Sequence, residues 1–233
     1  MCPSRNDQCG LGAQYGLSDG KVVYTPWETG KDRPEVIFSG IMIGTIGMLV
    51  TVGDLFSSDC QTFVNTVNTK GIMGKGIALE FKKQFESTTM FADYRSRCKR
   101  KVLRVGEPYL WKPLTALQQP LLLDELPAAP SSGGLVKWVL NFPTKDHWRT
   151  QSKLPDIIRG LEVFSCSYKD WGVASIAFPA LGCGNGGLEW RQVGPVMYRY
   201  LNNLDVRVEI FAPPGTPPHQ LTVAFLSEGH GAR

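Results

Sequence analysis

The sequence predicts a three-layer α/β domain, and three observations lead to this prediction. Strand-like segments alternate with helical ones, as in a sheet covered by helices on both faces. The chain has 233 residues, of which 42% are hydrophobic, so it can bury one sizeable core. Two glycine-rich turns, at residues 71–76 and 182–187, each follow an apolar run and precede a helical one.

The strand candidates are short apolar runs rich in β-branched and aromatic residues. In chain order they are Met48–Val52, Gln61–Val67, Tyr109–Trp111, Leu135–Phe142, Ser175–Pro179 and Val206–Phe211. The run Ile41–Val50 also predicts a strand, because it contains glycines and is too short to span a bilayer. We therefore expect no membrane partner.

Two segments in the second half of the chain have apolar residues at helical spacing. The first follows Ser152, a predicted N-cap, and has Pro155 in its tolerant first turn. Its apolar face is Leu154, Ile157, Ile158, Leu161, Phe164 and Tyr168. The face of the second is Val193, Val196, Met197, Tyr200, Leu201 and Leu204. The proline-rich residues 113–134 predict a surface loop or insertion.

The predicted domain occupies residues 41–213. Residues 1–40 form an N-terminal extension that lacks the charged and apolar regions of a signal peptide. Three interpretations of it stay open: a disordered segment, a decoration of the domain, or a start assigned upstream of Met42 or Met48. Residues 214–233 form a C-terminal tail, in which only Leu221–Leu226 has the pattern of a short strand.

Charge and cysteine content narrow the class of protein. The formal net charge of +4 permits a nucleic-acid partner without requiring one. The six cysteines, at positions 2, 9, 60, 98, 166 and 183, form no CxxC pair and no metal-ligand spacing with the three histidines. Such cysteines are typical of thiols in a reducing compartment. We expect a cytoplasmic protein without a metal or another cofactor.

The first glycine-rich turn, GIMGKG at residues 71–76, lies between the run NTVNT and an amphipathic helix. A strand, a glycine-rich turn and a helix N-terminus together present backbone N–H groups and a positive dipole end to an anion. The turn lacks the Lys-Ser/Thr ending of a P-loop and the spacing of a dinucleotide fingerprint. Taken alone, it favours an ordinary tight turn over a phosphate site.

The second glycine-rich turn changes this balance. It lies in AFPALGCGNGGLEW, residues 177–190, where only Cys183 and Asn185 carry side chains between Gly182 and Gly187. Glycines let the backbone adopt positive φ and approach a ligand closely. Two such turns in one domain predict a site that grips a diphosphate from two sides.

Four segments together carry a family resemblance: NTVNT, GIMGKGIAL, NFPTKDHWR and LGCGNGGLEW, in this order. From about Met48 to Pro213 the chain closely resembles the macrodomain of the DarG antitoxins, DNA ADP-ribosyl glycohydrolases that remove ADP-ribose placed on thymidine by the DarT toxin. It is more distantly similar to the eukaryotic terminal ADP-ribose protein glycohydrolase. The resemblance implies a three-layer α/β/α macrodomain with a mixed central sheet.

The resemblance also implies an ADP-ribose site. It assigns Asp54 to the exocyclic amine of adenine and Asn68 to the distal ribose, whose C1″ carries the target. Without it, Asp54 is typical of a cap and both Asn65 and Asn68 of a turn; we expect Asn65 to stabilise the turn after its strand. The predicted ADP-ribose contacts are Asp54, Leu55, Gly71, Ile72, Met73, Gly74, Lys75, Gly76, Gly182, Cys183, Gly184, Asn185, Gly186 and Gly187.

Lys145 and Asn68 are the predicted catalytic residues. Lys145, in NFPTKDHWR, matches the lysine that DarG-type enzymes need. Glycosidic cleavage builds positive charge at C1″ and negative charge on the leaving group, so a lysine can protonate that group or attack the opened sugar. The eukaryotic relative pairs its lysine with an aspartate where this chain has Gly186, which favours the acid or electrostatic role. Lys75 is a rival, suited to pairing with a phosphate.

The implied partner is ADP-ribosylated DNA, preferably single-stranded because extruding a paired base costs free energy. Trp148 could stack on an extruded base or anchor its own loop, and His147 lies beside it as a second possible DNA contact. The basic run YRSRCKRKVLR, residues 94–104, could follow phosphates or be a solvated helix face. A DarT-like toxin is a further implied partner.

Three functions stay open. The leading one is an ADP-ribosyl glycohydrolase that reverses DarT-type modification of DNA, acting as an antitoxin by reversal, since little sequence follows Pro213 to bind a toxin. The second is a hydrolase of protein-linked ADP-ribose or of an ADP-ribose metabolite. The third is a non-catalytic ADP-ribose binding module. Lys145 in its sequence context favours an enzyme, because a binding module needs only the two turns and Asp54.

Overall fold

The computed structural model describes residues 47–113 and 137–228 with their side chains, and the backbone of four strands before residue 47. The strands are β1 Gln14–Ser18, β2 Lys21–Thr25, β3 Ile37–Phe38, β4 Gly40–Ile43, β5 Met48–Val52, β6 Thr62–Asn68, β7 Tyr109–Trp111, β8 Trp138–Lys145, β9 Ser175–Pro179 and β10 Arg207–Ala212. The helices are α1 Gly76–Gln84, α2 Met90–Lys99, α3 Leu154–Ser167, α4 Trp190–Leu201 and α5 Val223–Ser227.

A mixed seven-stranded sheet forms the centre, in the order β4-β5-β10-β9-β6-β8-β7. The five inner strands are parallel, and the edge strands β4 and β7 are antiparallel to their neighbours. The carboxyl ends of the parallel strands therefore lie along one edge of the sheet. In open α/β sheets, this edge is where ligands bind.

Each face of the sheet is covered by its own apolar cluster. One face packs against α3, α4 and α5, and its fully buried side chains include Phe142, Leu161 and Met197. The other packs against α1 and α2, with Phe81 and Met90 at its centre. Because both faces of the inner strands are buried, these strands are continuously apolar rather than alternating. The predicted three-layer α/β/α arrangement with a mixed sheet is confirmed.

Most predicted strands are confirmed within one residue, and β8 shows the largest shift. It starts three residues later than predicted and continues through Pro143 to Lys145. A proline is tolerated there because β7 pairs with β8 only as far as Asn141, so no ladder donor is needed on that side. The longer strand brings Lys145 opposite Asn68 on β6.

The predicted single strand over Ile41–Val50 is wrong. The segment contains β4 and β5, which pair antiparallel with Ile41 opposite Val50. Gly47, between them, has φ +88°, a conformation that glycine adopts without steric cost. Before β4, strands β1, β2 and β3 form a separate antiparallel sheet.

The predicted strand over Leu221–Leu226 is also wrong. The residues form the end of a 3-10 helix, Pro218–Leu221, and then α5. The Thr222 hydroxyl caps α5 by accepting from the Phe225 N–H at 3.3 Å. Leu221 and Leu226 are buried against α4. The segment after residue 214 thus completes the core as helix.

Two further predictions concern α3 and the proline-rich segment. The N-cap of α3 is Lys153 rather than Ser152, and the Ser152 hydroxyl is buried without a partner among the described residues. The reason is that Ser152 packs beneath the second glycine-rich turn, where its N–H donates to Gly186 O at 2.9 Å. The loop predicted at residues 113–134 lies almost wholly outside the described residues. Within the described part, no helix is long and apolar enough to cross a membrane.

A chain that begins at Gly40 is expected to unfold cooperatively, with a melting temperature within a few degrees of the full chain. The physical reason is that the described members of both apolar clusters run from Met48 onward, and β4 is retained to pair with β5. Thermal unfolding followed by circular dichroism checks this expectation. A broad transition without cooperativity would show that residues 1–39 belong to the folding unit.

Candidate functional site

A cleft of about 1050 Å³ opens at the carboxyl edge of the sheet. Its two walls are the glycine-rich turns, which we call turn 1 (residues 71–76, after β6) and turn 2 (residues 182–187, after β9). The cleft runs from Asp54, after β5, to Lys145, the last residue of β8, and Trp148 beyond it. Its volume is at the upper end of the range for ligand pockets.

Asn68 shapes turn 1. Its side chain is buried, with Nδ2 donating to Ile72 O at 2.7 Å and Oδ1 accepting from the Lys70 N–H at 2.9 Å. The Tyr94 hydroxyl donates to the backbone carbonyl of Asn68 at 2.8 Å. Asn68 lines the cleft, but these bonds direct its amide at the turn. The contact with the distal ribose that we predicted for it stays a prediction.

A polar clamp ties turn 1 to the end of β8. The Thr69 N–H donates to Asp146 O at 3.0 Å, and the Thr69 hydroxyl also bonds the Asp146 carboxylate. Lys70 Nζ lies 2.9 Å from the same carboxylate. The Thr69 hydroxyl and the Lys70 ammonium hold the pKa of Asp146 below its usual value. Turn 1 is thereby fixed beside the strand that carries Lys145.

Lys145 reaches across the cleft. It ends β8 directly opposite Asn68, where a bulge follows Val67. Its Nζ donates to Asn185 O of turn 2 at 2.7 Å. Burial lowers the pKa of the Lys145 ammonium. The register thus brings the two predicted catalytic residues together, with the amine facing the opposite wall.

The two turns meet at Gly76 and Asn185. Gly76 has φ +57°, and a Cβ there would lie 2.6 Å from Asn185 Nδ2. Lys75, the N-cap of α1, makes no side-chain cap, and the first turn of the helix has no acidic residue. In the described part of the chain, the N–H groups of Gly184 and Gly186 have no acceptor. These free donors and the positive end of α1 make an anion site between the turns.

The far end of the cleft is partly aromatic. Asp54 is exposed there, and its Oδ1 accepts from the Phe56 N–H at 3.0 Å, so it does cap a short 3-10 helix. Its second oxygen has no protein donor in the described residues. The Phe56 ring packs on Phe81 at 4.9 Å. This end offers a flat apolar surface beside one free carboxylate oxygen.

Five predicted site residues do not line the cleft. Gly71 and Met73 are part of turn 1 but line a second cavity on its other side, and Met73 is buried in the core. Gly182 and Gly187 adopt positive φ at the bends of turn 2, and His147 stacks on Trp148 with ring centroids 5.1 Å apart. The others line it: Asp54, Leu55, Asn68, Ile72, Gly74, Lys75, Gly76, Lys145, Trp148, Cys183, Gly184, Asn185 and Gly186.

Sequence reasoning missed several cleft residues. They are Phe56, Thr66, Val67, Ile77, Ala78, Glu80, Gln84, Arg149, Pro179, Ala180, Phe211, Ala212, Pro213 and Pro214, together with Gly53. Residues 211–214 lie at the carboxyl end of the predicted strand over Val206–Phe211, so the rule that ligands bind at carboxyl ends of parallel strands could have found them. Glu80 and Gln84 lie on α1 without a sequence signal.

The expected role of Asn65 in a turn is wrong. Asn65 is fully buried in the middle of β6, and its Nδ2 donates to Asn141 Oδ1 of β8 at 3.1 Å. The two residues are direct partners in the parallel ladder. From the sequence alone, an asparagine is most often assigned to a turn. Here it is buried in a strand, because a second asparagine on the neighbouring strand supplies its hydrogen-bond partner.

Turn 2 offers neither an acid nor a thiolate near Lys145. A Cβ on Gly186 would lie 2.4 Å from Gly182 O and 2.5 Å from Ser152 Oγ, so an aspartate cannot occupy this position without rearranging the turn. Burial raises the pKa of the Cys183 thiol to about 12, which keeps it protonated. Glu189 pairs with Arg191 outside the cleft.

One group of possible metal ligands occurs among the described residues, and it lies outside the cleft. Asp59, Cys60 and Glu209 have ligand atoms within 4.8 Å of one another. Both carboxylates form ion pairs with Arg207, and burial raises the pKa of Cys60 to about 12. The carboxylates are thus neutralised by the Arg207 guanidinium and the thiol is protonated, so the cluster is explained as an ion-pair network without a metal ion.

Residues 64–197, more than half of the chain, match the model of the Macro domain family. A DNA ADP-ribosyl transferase-DNA ADP-ribosyl glycohydrolase fusion protein of Thermosipho africanus is 41% identical over 78% of this chain and 46% of its own length. The structure of Thermosipho africanus DarTG in complex with ADP-ribose is 40% identical, with a TM-score of 0.66, over 80% of this chain and 47% of that chain. The macrodomain of Mycobacterium tuberculosis DarG is 37% identical, with a TM-score of 0.59, over 72% of this chain and 99% of that chain. The chain spans less than half the length of the curated relatives it matches.

Proposed function

Because the chain belongs to the macrodomain family, we propose that it binds ADP-ribose in the cleft and releases it from thymidine in DNA. The observation that carries this proposal is Lys145, held across the cleft by Asn185 O at 2.7 Å. A lysine that reaches from the end of β8 to turn 2, at one end of an anion site, is suited to chemistry there. The similarity to proteins named DNA ADP-ribosyl glycohydrolase supports the same function.

The cleft geometry suggests how ADP-ribose lies in it. The diphosphate sits between turns 1 and 2, where it accepts from the free N–H groups of Gly184 and Gly186 and faces the N-terminus of α1. Lys75 at the helix start adds a cation. Adenine then lies beside Phe56, with its amine toward the free oxygen of Asp54. This orientation leaves the distal ribose at the Lys145 end.

Cleavage breaks the bond between C1″ and the base. Water supplies the hydroxyl that C1″ gains, and the base gains a proton. Lys145 acts on the leaving base, as a proton donor or as a charge that stabilises it, because its lowered pKa makes proton release easier. A covalent lysyl route would lack the nearby aspartate of the eukaryotic relative, since the backbone around Gly186 leaves no room for one.

Asn68 is proposed to act mainly by positioning. Its amide fixes turn 1 through Lys70 and Ile72, and its place opposite Lys145 supports a proposed position beside the distal ribose. A rigid turn keeps the reactive carbon near the lysine, which is how positioning groups lower a barrier.

The mouth of the cleft suits a nucleobase. Ile72 and Trp148 are 46% and 43% exposed there, and large apolar side chains with such exposure mark contact surfaces. The Arg149 guanidinium lies 4.3 Å above the Trp148 ring. We propose that the modified base rests against this pair of side chains, in the cytoplasm, where a DarT-like toxin would create the substrate.

The substrate class can be tested by comparing two substrates. The full chain is incubated with a single-stranded oligonucleotide that carries ADP-ribosylated thymidine and, separately, with a protein carrying ADP-ribose on glutamate, and the initial rate of ADP-ribose release is measured for each. We expect a clear preference for the oligonucleotide. Release from the protein alone would replace the DNA assignment with a protein substrate. Tight ADP-ribose binding with no release from either would leave a binding module.

A further inference from the structure

A second cavity, of about 700 Å³, lies behind turn 1. We call it the basic groove. Its cationic lining residues are Lys70, Lys82, Arg95, Lys99 and Lys101, around Phe91. It shares Ile72 and Gly74 with the cleft, so the two cavities are separated only by turn 1.

The groove has a local excess of positive charge. Its described lining has five cations and one carboxylate, that of Asp146, which gives a formal charge of +4. The whole chain has the same formal net charge of +4. A local excess of positive charge of this size attracts an anionic partner to the groove.

Several of these cations are free to bind an external anion. Within the described part of the chain, Lys82, Arg95, Lys99 and Lys101 have no carboxylate at ion-pair distance. Lys82 Nζ lies 4.7 Å and the Arg95 guanidinium 5.8 Å from the centre of the Phe91 ring. Such cation–π contacts hold the two side chains along the groove.

Not every cation on α2 is free to bind an external anion. Arg97, also on α2, pairs with Asp93 at 2.9 Å and lies over the Tyr109 ring at 4.2 Å. It is thus an internal partner rather than a groove residue. Arg100 and Arg104 belong to the same basic run but do not line the groove. Only part of the basic run at residues 94–104 lines this cavity.

The groove begins at the reactive end of the cleft. Thr69 and Asp146, which line it, directly follow Asn68 and Lys145 in sequence. We propose that the basic groove binds the phosphates of the DNA strand next to the modified thymidine. This inference rests on the proposed function, because it places the strand beside the mouth through which the modified thymidine enters the cleft. A row of cations beside a base-sized mouth is the usual arrangement for single-stranded DNA.

The test replaces two cations of the groove and compares this variant with one in which two nearby cations outside the groove are replaced. The variant Arg95→Glu/Lys99→Glu changes the groove, and Arg100→Glu/Arg104→Glu is the control with equal charge change in the same run. Binding of an unmodified single-stranded oligonucleotide is followed by fluorescence anisotropy as a function of salt. Losing two phosphate contacts should lower affinity about tenfold at physiological salt and reduce the slope of log K against log salt by about 1.4. The control should retain most of its affinity.

Steady-state kinetics distinguish a role of the groove in binding DNA from a role in the reaction in the cleft. The groove variant should lose kcat/KM on the modified oligonucleotide but not on ADP-ribosylated thymidine nucleoside, which has no flanking phosphates, and it should bind free ADP-ribose normally. Equal losses on both substrates, or equal losses in the control variant, would overturn the proposal. Arg95→Gln/Lys99→Gln repeats the test if the glutamate variant is unstable.

Two controls test whether the partner is a nucleic acid and distinguish failure of the groove proposal from failure of the proposed function. A poly-glutamate peptide that competes as well as DNA would overturn the nucleic-acid assignment. If the proposed function itself fails, the wild-type chain releases no ADP-ribose from either the oligonucleotide or the nucleoside. The anisotropy measurement still reports on the groove in that case, because it uses unmodified DNA.

Discussion

Replacing Lys145 with alanine is expected to lower kcat for ADP-ribose release from the modified oligonucleotide by about 10²- to 10⁴-fold. The side chain is the only cation that crosses the cleft in the described residues, through its bond to Asn185 O. Affinity for free ADP-ribose should change little, because the diphosphate is held by backbone N–H groups. Single-turnover kinetics and calorimetry on the same variant check the two halves of this expectation.

The pH dependence and an arginine variant distinguish the two roles of Lys145. Burial lowers its pKa, so a general acid would stay active at low pH and lose activity as pH rises through that lowered value. A nucleophilic amine would gain activity over the same range. Lys145→Arg keeps the charge but cannot give up a proton, so it should restore activity only if the lysine acts electrostatically.

Lys75 provides the matched control for Lys145. It lines the same cleft at the start of α1, where it is proposed to contact phosphate. Lys75→Ala should raise KM and leave kcat nearly unchanged, since it removes binding that is equal in the ground and transition states. A larger loss of kcat in Lys75→Ala than in Lys145→Ala would reverse the two assignments.

Gly184→Val is expected to reduce ADP-ribose affinity by at least about 100-fold. A Cβ at Gly184 meets no atom within 4 Å, and the residue lines the cleft, so we expect the valine to occupy ligand space without distorting turn 2. It would also keep phosphate from the neighbouring N–H donors, each worth about 1.5 to 3 kcal/mol when bonded to a charged group. Isothermal titration calorimetry measures the loss directly. Near-wild-type affinity would show that the diphosphate lies elsewhere.

Only a glycine with room for a side chain can be replaced without distorting its turn, so the position of the substitution matters. Gly74→Val should act like Gly184→Val, because its Cβ would meet only Ile72 at 3.6 Å. Gly182 has φ +74°, and a Cβ there would lie 2.8 Å from Leu188. Gly182→Val should therefore lower the melting temperature by distorting turn 2 rather than by filling the cleft. A thermal melt of each variant separates the two effects.

The parts of the fold with a strong local signal could be predicted from the sequence. The parallel strands are long apolar runs, and α3 and α4 have clear helical periodicity. The errors occur where local patterns depend on tertiary partners. Asn65 finds its partner on a strand 76 residues later. Leu221 and Leu226 pack as helix because α4 offers them an apolar surface.

The candidate site also contains residues that the sequence could predict and residues that it could not. The glycine-rich turns and Lys145 have sequence signals and line one cleft. The sequence could not tell which glycines face the ligand, because Gly182 and Gly184 differ in backbone conformation and in the atoms packed around them. It also could not separate Arg95 and Lys99 from Arg97, since the distinction depends on the Asp93 ion pair. Side-chain direction is set by packing, which a linear pattern does not contain.

The most direct test of the central claim is the mass of a single-stranded oligonucleotide carrying ADP-ribosylated thymidine, measured after incubation with the full chain. The proposed glycohydrolase predicts that the oligonucleotide returns to its unmodified mass, with thymidine intact and free ADP-ribose in solution. Lys145→Ala should leave most of it modified over the same time. An unchanged mass with the wild-type chain, under conditions where calorimetry shows ADP-ribose in the cleft, would contradict the claim.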